Sequence, residues 1–171
     1  MSDDPKNVIR TSTLTAEDGL PIKHPHNPNS KLTLWPLGDR AGMQRVMMNL
    51  ARIPPGKEAF VPHTHSMQEE FVFVLEGQGV ALIGEHEVAI GPGDYIGYPT
   101  DSPAHHLINS GTEDLLVLMG GERTDVEVSQ FPTLGKVGVF RPEGIQFFDA
   151  DSAQVIGQEP WLDTHVEDSK A

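Results

Sequence analysis

Two histidines lie two residues apart in the segment PHTHSMQEEFVFVLEG, Pro62 to Gly77. In an extended strand side chains alternate between two faces, so His63 and His65 project to the same side. Two imidazoles about 7 Å apart can direct nitrogens to one point between them, which suits a transition-metal ion. Two adjacent carboxylates, Glu69 and Glu70, follow a few residues later and could supply an oxygen ligand. The segment therefore predicts a metal site at the start of a strand.

Strand parity alone does not decide which glutamate faces the histidines. An unbroken strand would place Glu69 on the face of His63 and His65, but the polar run SMQE lies where a barrel strand would turn. On the next strand, Glu70 shares a face with medium-sized aliphatic side chains, whereas Glu69 shares one with aromatic side chains. A carboxylate beside aliphatic residues suits a barrel interior with space for an ion, yet both glutamates stay candidates at this point.

The elements that carry these residues are predicted to be short β-strands. Apolar and polar residues alternate, and turns with Gly or Pro recur about every 8–12 residues, as in an all-β sandwich or barrel. No segment between residues 43 and 121 has the pattern of an amphipathic helix. The predicted strands lie at 46–51, 71–75, 80–84, 86–91, within 91–99, at 105–109 and at 114–120, with peripheral strands at 137–140 and 145–148 and a short one at 20–22 that could dock on a partner subunit.

The spacing of the candidate ligands resembles the first sequence motif of the cupins. That motif has a glycine, a His-x-His pair, a glutamate three or four residues on, and a glycine after six more. In this chain six residues separate Glu70 from Gly77, whereas seven separate Glu69 from Gly77. The resemblance therefore selects Glu70 as the carboxylate ligand. The chain departs from the pattern before the histidines, where six residues instead of the usual five follow Gly56.

A second segment, GDYIGYPTDSPAHHLIN at residues 93–109, resembles the second cupin motif. Five residues separate its first glycine from Pro99, and three separate His105 from the final asparagine. The resemblance thereby implies His105 as the fourth ligand, with His106 pointing to the other face. Asp101 stands where a glycine is usual, and one extra residue precedes His105. These departures affect loop geometry rather than ligand identity.

The resemblance covers about residues 43–121, and the stretches LGDRAGMQRVMMNLARIPPG and AHHLIN are similar to a bacterial group of small single-domain cupins. It implies an all-β double-stranded β-helix, a jelly-roll-like barrel with a metal inside one end. The implied ligands are three imidazoles and one carboxylate: His63, His65, Glu70 and His105. These ligands leave a divalent ion with a net positive charge, and an octahedral ion would keep two positions for water or substrate. They suit one Fe, Mn, Ni, Co, Cu or Zn ion and disfavour Ca and Mg.

The function implied is that of a metal-dependent enzyme acting on a small oxygen-rich or carboxylate-bearing molecule, by oxygenase or isomerase/lyase chemistry. The alternative is a non-catalytic module that binds a sugar or an organic acid, since cupins include binding proteins. His106 is expected to pack in the interior, and His24 and His26 are expected to lie in a loop without binding metal. The catalytic residues are not assigned, and the candidates to line the cavity are Arg52, Glu69, Tyr95 and Tyr98.

The amino-acid composition limits which kinds of partner and chemistry are expected. Asp and Glu number 25 against 12 Lys and Arg, which gives a net charge of −13 with neutral histidines. This charge disfavours nucleic acid and anionic membrane as partners. Cysteine is absent, so neither disulfides nor thiolate chemistry are expected. The chain lacks the apolar run of a secretion signal and any apolar stretch of roughly 20 residues, so a cytoplasmic location is expected.

One barrel with two appendages is predicted. Residues 1–31 contain four prolines and form an extended arm, residues 32–125 form the barrel, and residues 126–171 form an extension that packs on it. The end of the extension is expected to be mobile or to fold back through Trp161. A homodimer is expected, because open β-sandwiches leave strand edges to cover and the arm could cover one across subunits.

Overall fold

The structure is a computed structural model that describes residues 5–154. Over that range the chain forms twelve β-strands, one short α-helix and four 3-10 helices. The helical segments are α1 (Leu37–Arg40) and the 3-10 turns Thr11–Thr13, Ala16–Asp18, Pro132–Leu134 and Ala150–Ser152. The strands are β1 (Leu20–Ile22), β2 (Leu32–Pro36), β3 (Val46–Ile53), β4 (Glu70–Glu76), β5 (Gly79–Ile83), β6 (His86–Ile90), β7 (Tyr95–Tyr98), β8 (His105–Ile108), β9 (Leu115–Glu122), β10 (Glu127–Phe131), β11 (Lys136–Arg141) and β12 (Gly144–Asp149).

Three antiparallel sheets contain these strands. The largest has the order β1-β2-β3-β9-β4-β7, a second has the order β6-β5-β8, and a third has the order β10-β11-β12. The hydrophobic core joins the first two sheets, with Val74 and Val117 buried from the larger sheet and Ala81 and Leu107 from the smaller. These sheets confirm the prediction of an all-β jelly-roll barrel.

Strand β4 shows how the sequence turns the carboxylate inward. Val72 and Val74 are buried, whereas Phe71 and Phe73 are only partly buried. Side chains two residues apart on a strand point the same way, so Glu70 shares the inward face of the two valines. Burying each valine contributes about 1.5–2 kcal/mol to folding, and this contribution fixes which face of β4 points inward.

The turn after β4 explains why the first motif ends in glycine. Gly77 has a φ of 82°, in the left-handed region that residues with a Cβ seldom adopt. A Cβ built on it would also lie 2.3 Å from the carbonyl oxygen of Asp114. Asp101, which stands where the second motif usually has a glycine, has a φ of 67°. The chain therefore keeps the left-handed turn there without the glycine.

The arm joins the barrel within the same chain. Strand β1 pairs antiparallel with β2, so that Leu20 lies opposite Leu34. One edge of β1 is therefore paired within its own chain, and the suggestion that residues 20–22 dock on a partner subunit stays a prediction for its outer edge.

The extension is tied to the segment that carries the two histidines. The backbone N–H of Thr64 donates to the carbonyl of Gln130 at 3.0 Å, and that of Ser66 donates to Val128 at 3.1 Å. The acceptors belong to β10, a strand that the sequence pattern did not predict. The predicted peripheral strands correspond to β11 and β12.

The proposed division of the chain into arm, barrel and extension at residues 31 and 125 stays a prediction. Trp161 and the end of the extension that was expected to be mobile lie outside the described residues. In the described part of the chain, no helix is long and apolar enough to cross a bilayer.

Candidate metal centre

The four predicted ligands come together at one end of the barrel. His63 and His65 lie between β3 and β4, Glu70 is the first residue of β4, and His105 is the first residue of β8. The backbones of His63 and His105 pair across the barrel, with N–H to O=C distances of 3.2 and 2.9 Å. One ligand atom from each of the four side chains lies within 4.8 Å of the others. This pairing brings together residues from two separate motifs.

The rings of His63 and His105 are held in the tautomer that suits a ligand. Nδ1 of His63 lies 2.8 Å from the carbonyl oxygen of Val61, and Nδ1 of His105 lies 3.3 Å from that of Pro103. A carbonyl oxygen only accepts, so each Nδ1 carries the proton and each neutral ring keeps its lone pair on Nε2. Nε2 of His105 is buried and finds no hydrogen-bond partner among residues 5–154.

Glu70 supplies the negative charge of the cluster. Its Oε2 lies 3.3 Å from Nε2 of His65 and 3.7 Å from Nε2 of His105. Burial by itself would raise the pKa of the Glu70 carboxyl, but the contacts with His105 and His65 outweigh burial and hold the pKa well below its usual range. Burial, with His105 adding to it, lowers the pKa of His63 to about 4. Neutral imidazole and ionised carboxylate are the protonation states in which these groups bind metal.

A fifth group, Glu127, lies behind His65 and was missed by the sequence reasoning. Its side chain is nearly fully buried, and its Oε1 lies 4.0 Å from Nδ1 of His65. The same carboxylate accepts the backbone N–H of Ser66 at 2.6 Å and that of Met67 at 3.1 Å. Burial lowers the pKa of His65, but the neighbouring Glu70 and Glu127 carboxylates raise it to a value above the ordinary one. Glu127 therefore supports the loop that carries His65 and adds negative charge beside this histidine.

Four residues were predicted as candidates to line the cavity. Of these, Tyr98 is the one that lines it in the described chain. Its ring stacks on His105, with centroids 3.8 Å apart and planes 8° apart. Its hydroxyl is buried and has no hydrogen-bond partner within residues 5–154. Burial raises the pKa of this phenol, and the Glu70 carboxylate raises it further, so the proton stays on the oxygen.

The other three candidates lie away from the cavity. Tyr95 is 66% exposed and stacks on Phe71, with centroids 6.0 Å apart. Arg52 lies 3.8 Å from Asp114, and Glu69 is exposed. For Glu69, strand parity alone had left the choice of face open.

The other four histidines of the described residues lie in three kinds of place. His106 is buried as expected, and its Nε2 lies 3.2 Å from Oε2 of Glu58. His24 and His26 lie in the loop between β1 and β2, as predicted, and His24 borders the cavity. His86 is exposed on β6, the solvated position that its glutamate neighbours indicate.

The four-ligand cluster opens into a cavity of about 400 Å³. Its wall has contributions from the arm, the barrel and the extension. Phe131 of β10 is buried in this wall and stacks on His63, with centroids 6.0 Å apart and planes 22° apart. Three imidazoles and one carboxylate with converging ligand atoms fit a divalent transition-metal ion, and Nε2 of both His65 and His105 is buried without a hydrogen-bond partner in the described chain.

Known proteins share this fold. The family profile described as Cupin domain matches residues 49–121. A crystal structure from Acidithiobacillus ferrooxidans ATCC 23270, provisionally named a sugar phosphate isomerase, is 30% identical with a TM-score of 0.83, and covers 89% of this chain and 97% of its own. A sugar phosphate isomerase from a cupin superfamily, of Silicibacter pomeroyi DSS-3, is 27% identical with a TM-score of 0.68, and covers 74% of this chain and 82% of its own.

A curated protein is also similar over part of its length. Sulfate adenylyltransferase subunit 1 of Aeromonas salmonicida (strain A449) is 27% identical over 128 residues, which are 71% of this chain and 26% of that protein. The chain thus spans about a quarter of that relative's length. The profile match and the 30% identity over nearly all of a solved structure agree with the sheet order and with the paired motifs. The chain belongs to the cupin superfamily.

Proposed function

We propose that this cupin is a metal-dependent enzyme that acts on a small molecule through two of its oxygen atoms, by oxygenase or isomerase/lyase chemistry. The observation that carries the proposal is the convergence of four ligand groups within 4.8 Å beside a cavity of about 400 Å³. The residues that would hold the ion are His63, His65, Glu70 and His105. When bound, such an ion supplies Lewis acidity and a template that orients the substrate.

The chain's own residues prepare the site for that chemistry. The N–H bonds from Nδ1 of His63 and His105 to backbone carbonyls fix both rings, so their Nε2 lone pairs need little reorganisation to bind. Tyr98 and Phe131 cover the faces of these two rings and keep water from them. The hydroxyl of Tyr98, protonated and without a partner in the described chain, can donate a hydrogen bond to a substrate oxygen.

The names of two similar structures support the isomerase branch of the proposal. Both proteins are called sugar phosphate isomerases, one of them provisionally. A metal ion can assist isomerisation by orienting the substrate, and an ion with two open positions can hold two neighbouring substrate oxygens.

A non-catalytic binding role is the second candidate. One observation favours it: apart from the four ligands, the histidines of the cavity wall in the described chain are His24 and His106, and His106 is already paired with Glu58. The raised pKa of Tyr98 makes this phenol a weak acid. A ligand that raises the unfolding temperature of the metal-loaded protein without being converted to product would favour binding over catalysis.

Elemental analysis of protein purified from unsupplemented cells tests the metal site. Wild-type protein should carry close to one transition-metal ion per chain, and His105→Ala should lose at least tenfold of that content. The matched control is His86→Ala, which removes an exposed histidine of β6. Equal metal content in wild type and His105→Ala would refute the proposed site.

A further inference from the structure

The wall around the candidate metal centre is strongly apolar and comes from three parts of the chain. The barrel contributes Met47 and Met119, and the arm contributes Ile22. The extension contributes Phe131 and aliphatic and aromatic side chains of β11 and β12. This wall does not follow from the motifs, because half of it lies outside them.

Positive charge is scarce in this wall. Among the described residues that line the cavity, Lys23 is the one lysine or arginine, and it is exposed. A phosphate ester carries nearly two negative charges at neutral pH and needs several N–H donors or cations when it leaves water. Besides this exposed ammonium and the metal ligands, the side chains with N–H donors in the described wall are His24, Asn49 and His106, and His106 already pairs with Glu58. One cation and these uncharged donors compensate poorly for a doubly charged phosphate, and the chain's net charge of −13 adds repulsion.

Flat aromatic side chains, in contrast, lie directly beside His63, one of the candidate metal ligands. Phe131 stacks on His63, and its ring centroid lies 6.4 Å from that of Phe140 and 5.4 Å from that of Phe147. These rings pack on one another, and Phe140 and Ile145 border the cavity beside Phe131. A ring or a branched aliphatic group packs well against such a surface. Tyr98, which stacks on His105, brings a hydroxyl to the same wall.

We propose that the substrate has two adjacent oxygens joined to an apolar, ring-like or branched body, and that it is not a phosphorylated sugar. This inference rests on the proposed function, because the two oxygens are those that would approach the ion. It narrows the oxygen-rich class expected from the ligands, and it separates this chain from what the names of its two similar structures suggest.

Three probes test the inference on the full chain loaded with Zn²⁺. Glycolate and mandelate share the same α-hydroxy carboxylate, and mandelate adds only a phenyl ring; ribose 5-phosphate represents the phosphorylated sugars. Calorimetric titration should give mandelate about 10- to 100-fold tighter binding than glycolate, the gain expected for burying one phenyl group. Ribose 5-phosphate should bind at least tenfold more weakly than mandelate.

A pair of variants assigns the effect to the wall. Phe140→Ala should weaken mandelate binding about 3- to 10-fold and leave glycolate unchanged, because Phe140 lines the cavity. Phe148→Ala is the matched control, since Phe148 is 50% exposed on β12 and does not border the cavity. Zinc content and unfolding temperature are measured on each protein.

The outcomes separate this inference from the proposed function. The inference is overturned if the protein binds zinc but has equal affinity for glycolate and mandelate, or binds ribose 5-phosphate more tightly than mandelate. Either result leaves the proposed metal site unaffected. A Phe140→Ala protein that keeps the full preference for mandelate overturns the role of this wall. Failure of the wild type to bind zinc in a manner sensitive to His105→Ala refutes the proposed function, and the inference falls with it.

Discussion

Replacing Glu127 by alanine should weaken both the fold and the metal site, because this buried carboxylate supports the loop that carries His65. It accepts two backbone N–H groups, at 2.6 and 3.1 Å, from Ser66 and Met67. Hydrogen bonds to a charged acceptor contribute about 1.5–3 kcal/mol each. Both donors belong to exposed residues, so water can replace part of this energy. We expect the free energy of unfolding to fall by about 2–4 kcal/mol.

The expected effect on metal affinity follows from the distance between Glu127 and His65, which is longer than the hydrogen bonds of Glu127 to the loop. Oε1 of Glu127 lies 4.0 Å from Nδ1 of His65, beyond hydrogen-bond range, so its influence is electrostatic and acts through the placement of the loop. Removing an outer group that orients a metal-binding histidine typically costs 10- to 100-fold in affinity, and the distance favours a loss of about tenfold.

Two measurements check this prediction. Urea denaturation gives the free energy of unfolding, and competition with a chelator gives the metal dissociation constant. Glu127→Gln should have an intermediate effect on both, since its amide oxygen can still accept one N–H. Glu143→Ala, in the exposed turn between β11 and β12, is the control and should change neither. A Glu127→Ala protein with wild-type metal affinity would refute the link between Glu127 and His65.

Three further substitutions, one of them with a matched control, test separate parts of the structure. Tyr98→Phe removes a buried hydroxyl without a partner in the described chain, so thermal unfolding should show stability unchanged or raised by about 1 kcal/mol; a loss above that size would contradict the assignment. Gly77→Ala should cost about 2–4 kcal/mol of unfolding free energy, because the left-handed φ and a 2.3 Å clash add. Gly42→Ala, which shares the φ but has no atom within 4 Å of its Cβ, should cost only about 1 kcal/mol. Asn109→Ala deletes three hydrogen bonds of a fully buried amide, and urea denaturation should report a loss of about 2–4 kcal/mol.

The barrel and the grouping of the four candidate ligands could be predicted because both depend on short-range patterns. Alternation with a period of two fixes which side chains of β4 point inward, and the paired motifs select Glu70 and His105. The structure brings those side chains together, while metal binding itself stays a prediction. Asn109, the last residue of the second motif, holds the end of β8 through its side-chain amide, which donates to the carbonyls of Ile53 and Glu113.

What the sequence could not reveal depends on contacts between distant segments. Glu127 and Phe131 lie more than 55 positions beyond His65 and His63, in a stretch with polar residues that no motif marks. Strand β10 becomes a strand because its backbone pairs with β11 and with residues 64–66, a tertiary cause that local propensity does not report. The one available signal was the alternation of Glu127, Ser129 and Phe131, all of which are buried.

The separate origins of the metal ligands and of part of the cavity wall have a chemical consequence. The ligand groups all lie in the barrel, at positions that the motif spacing specifies, whereas part of the wall beside them comes from the arm and from β10, β11 and β12. An apolar wall excludes water and strengthens the attraction between an ion and its carboxylate ligand, so the wall affects metal affinity as well as ligand choice. A change of side chains in the arm or the extension can therefore alter which molecule binds without altering the four ligands. Proteins with the same ligand motif can for that reason act on different molecules, and the substrate of this chain has to be inferred from Phe131 and its neighbours rather than from His63, His65, Glu70 and His105.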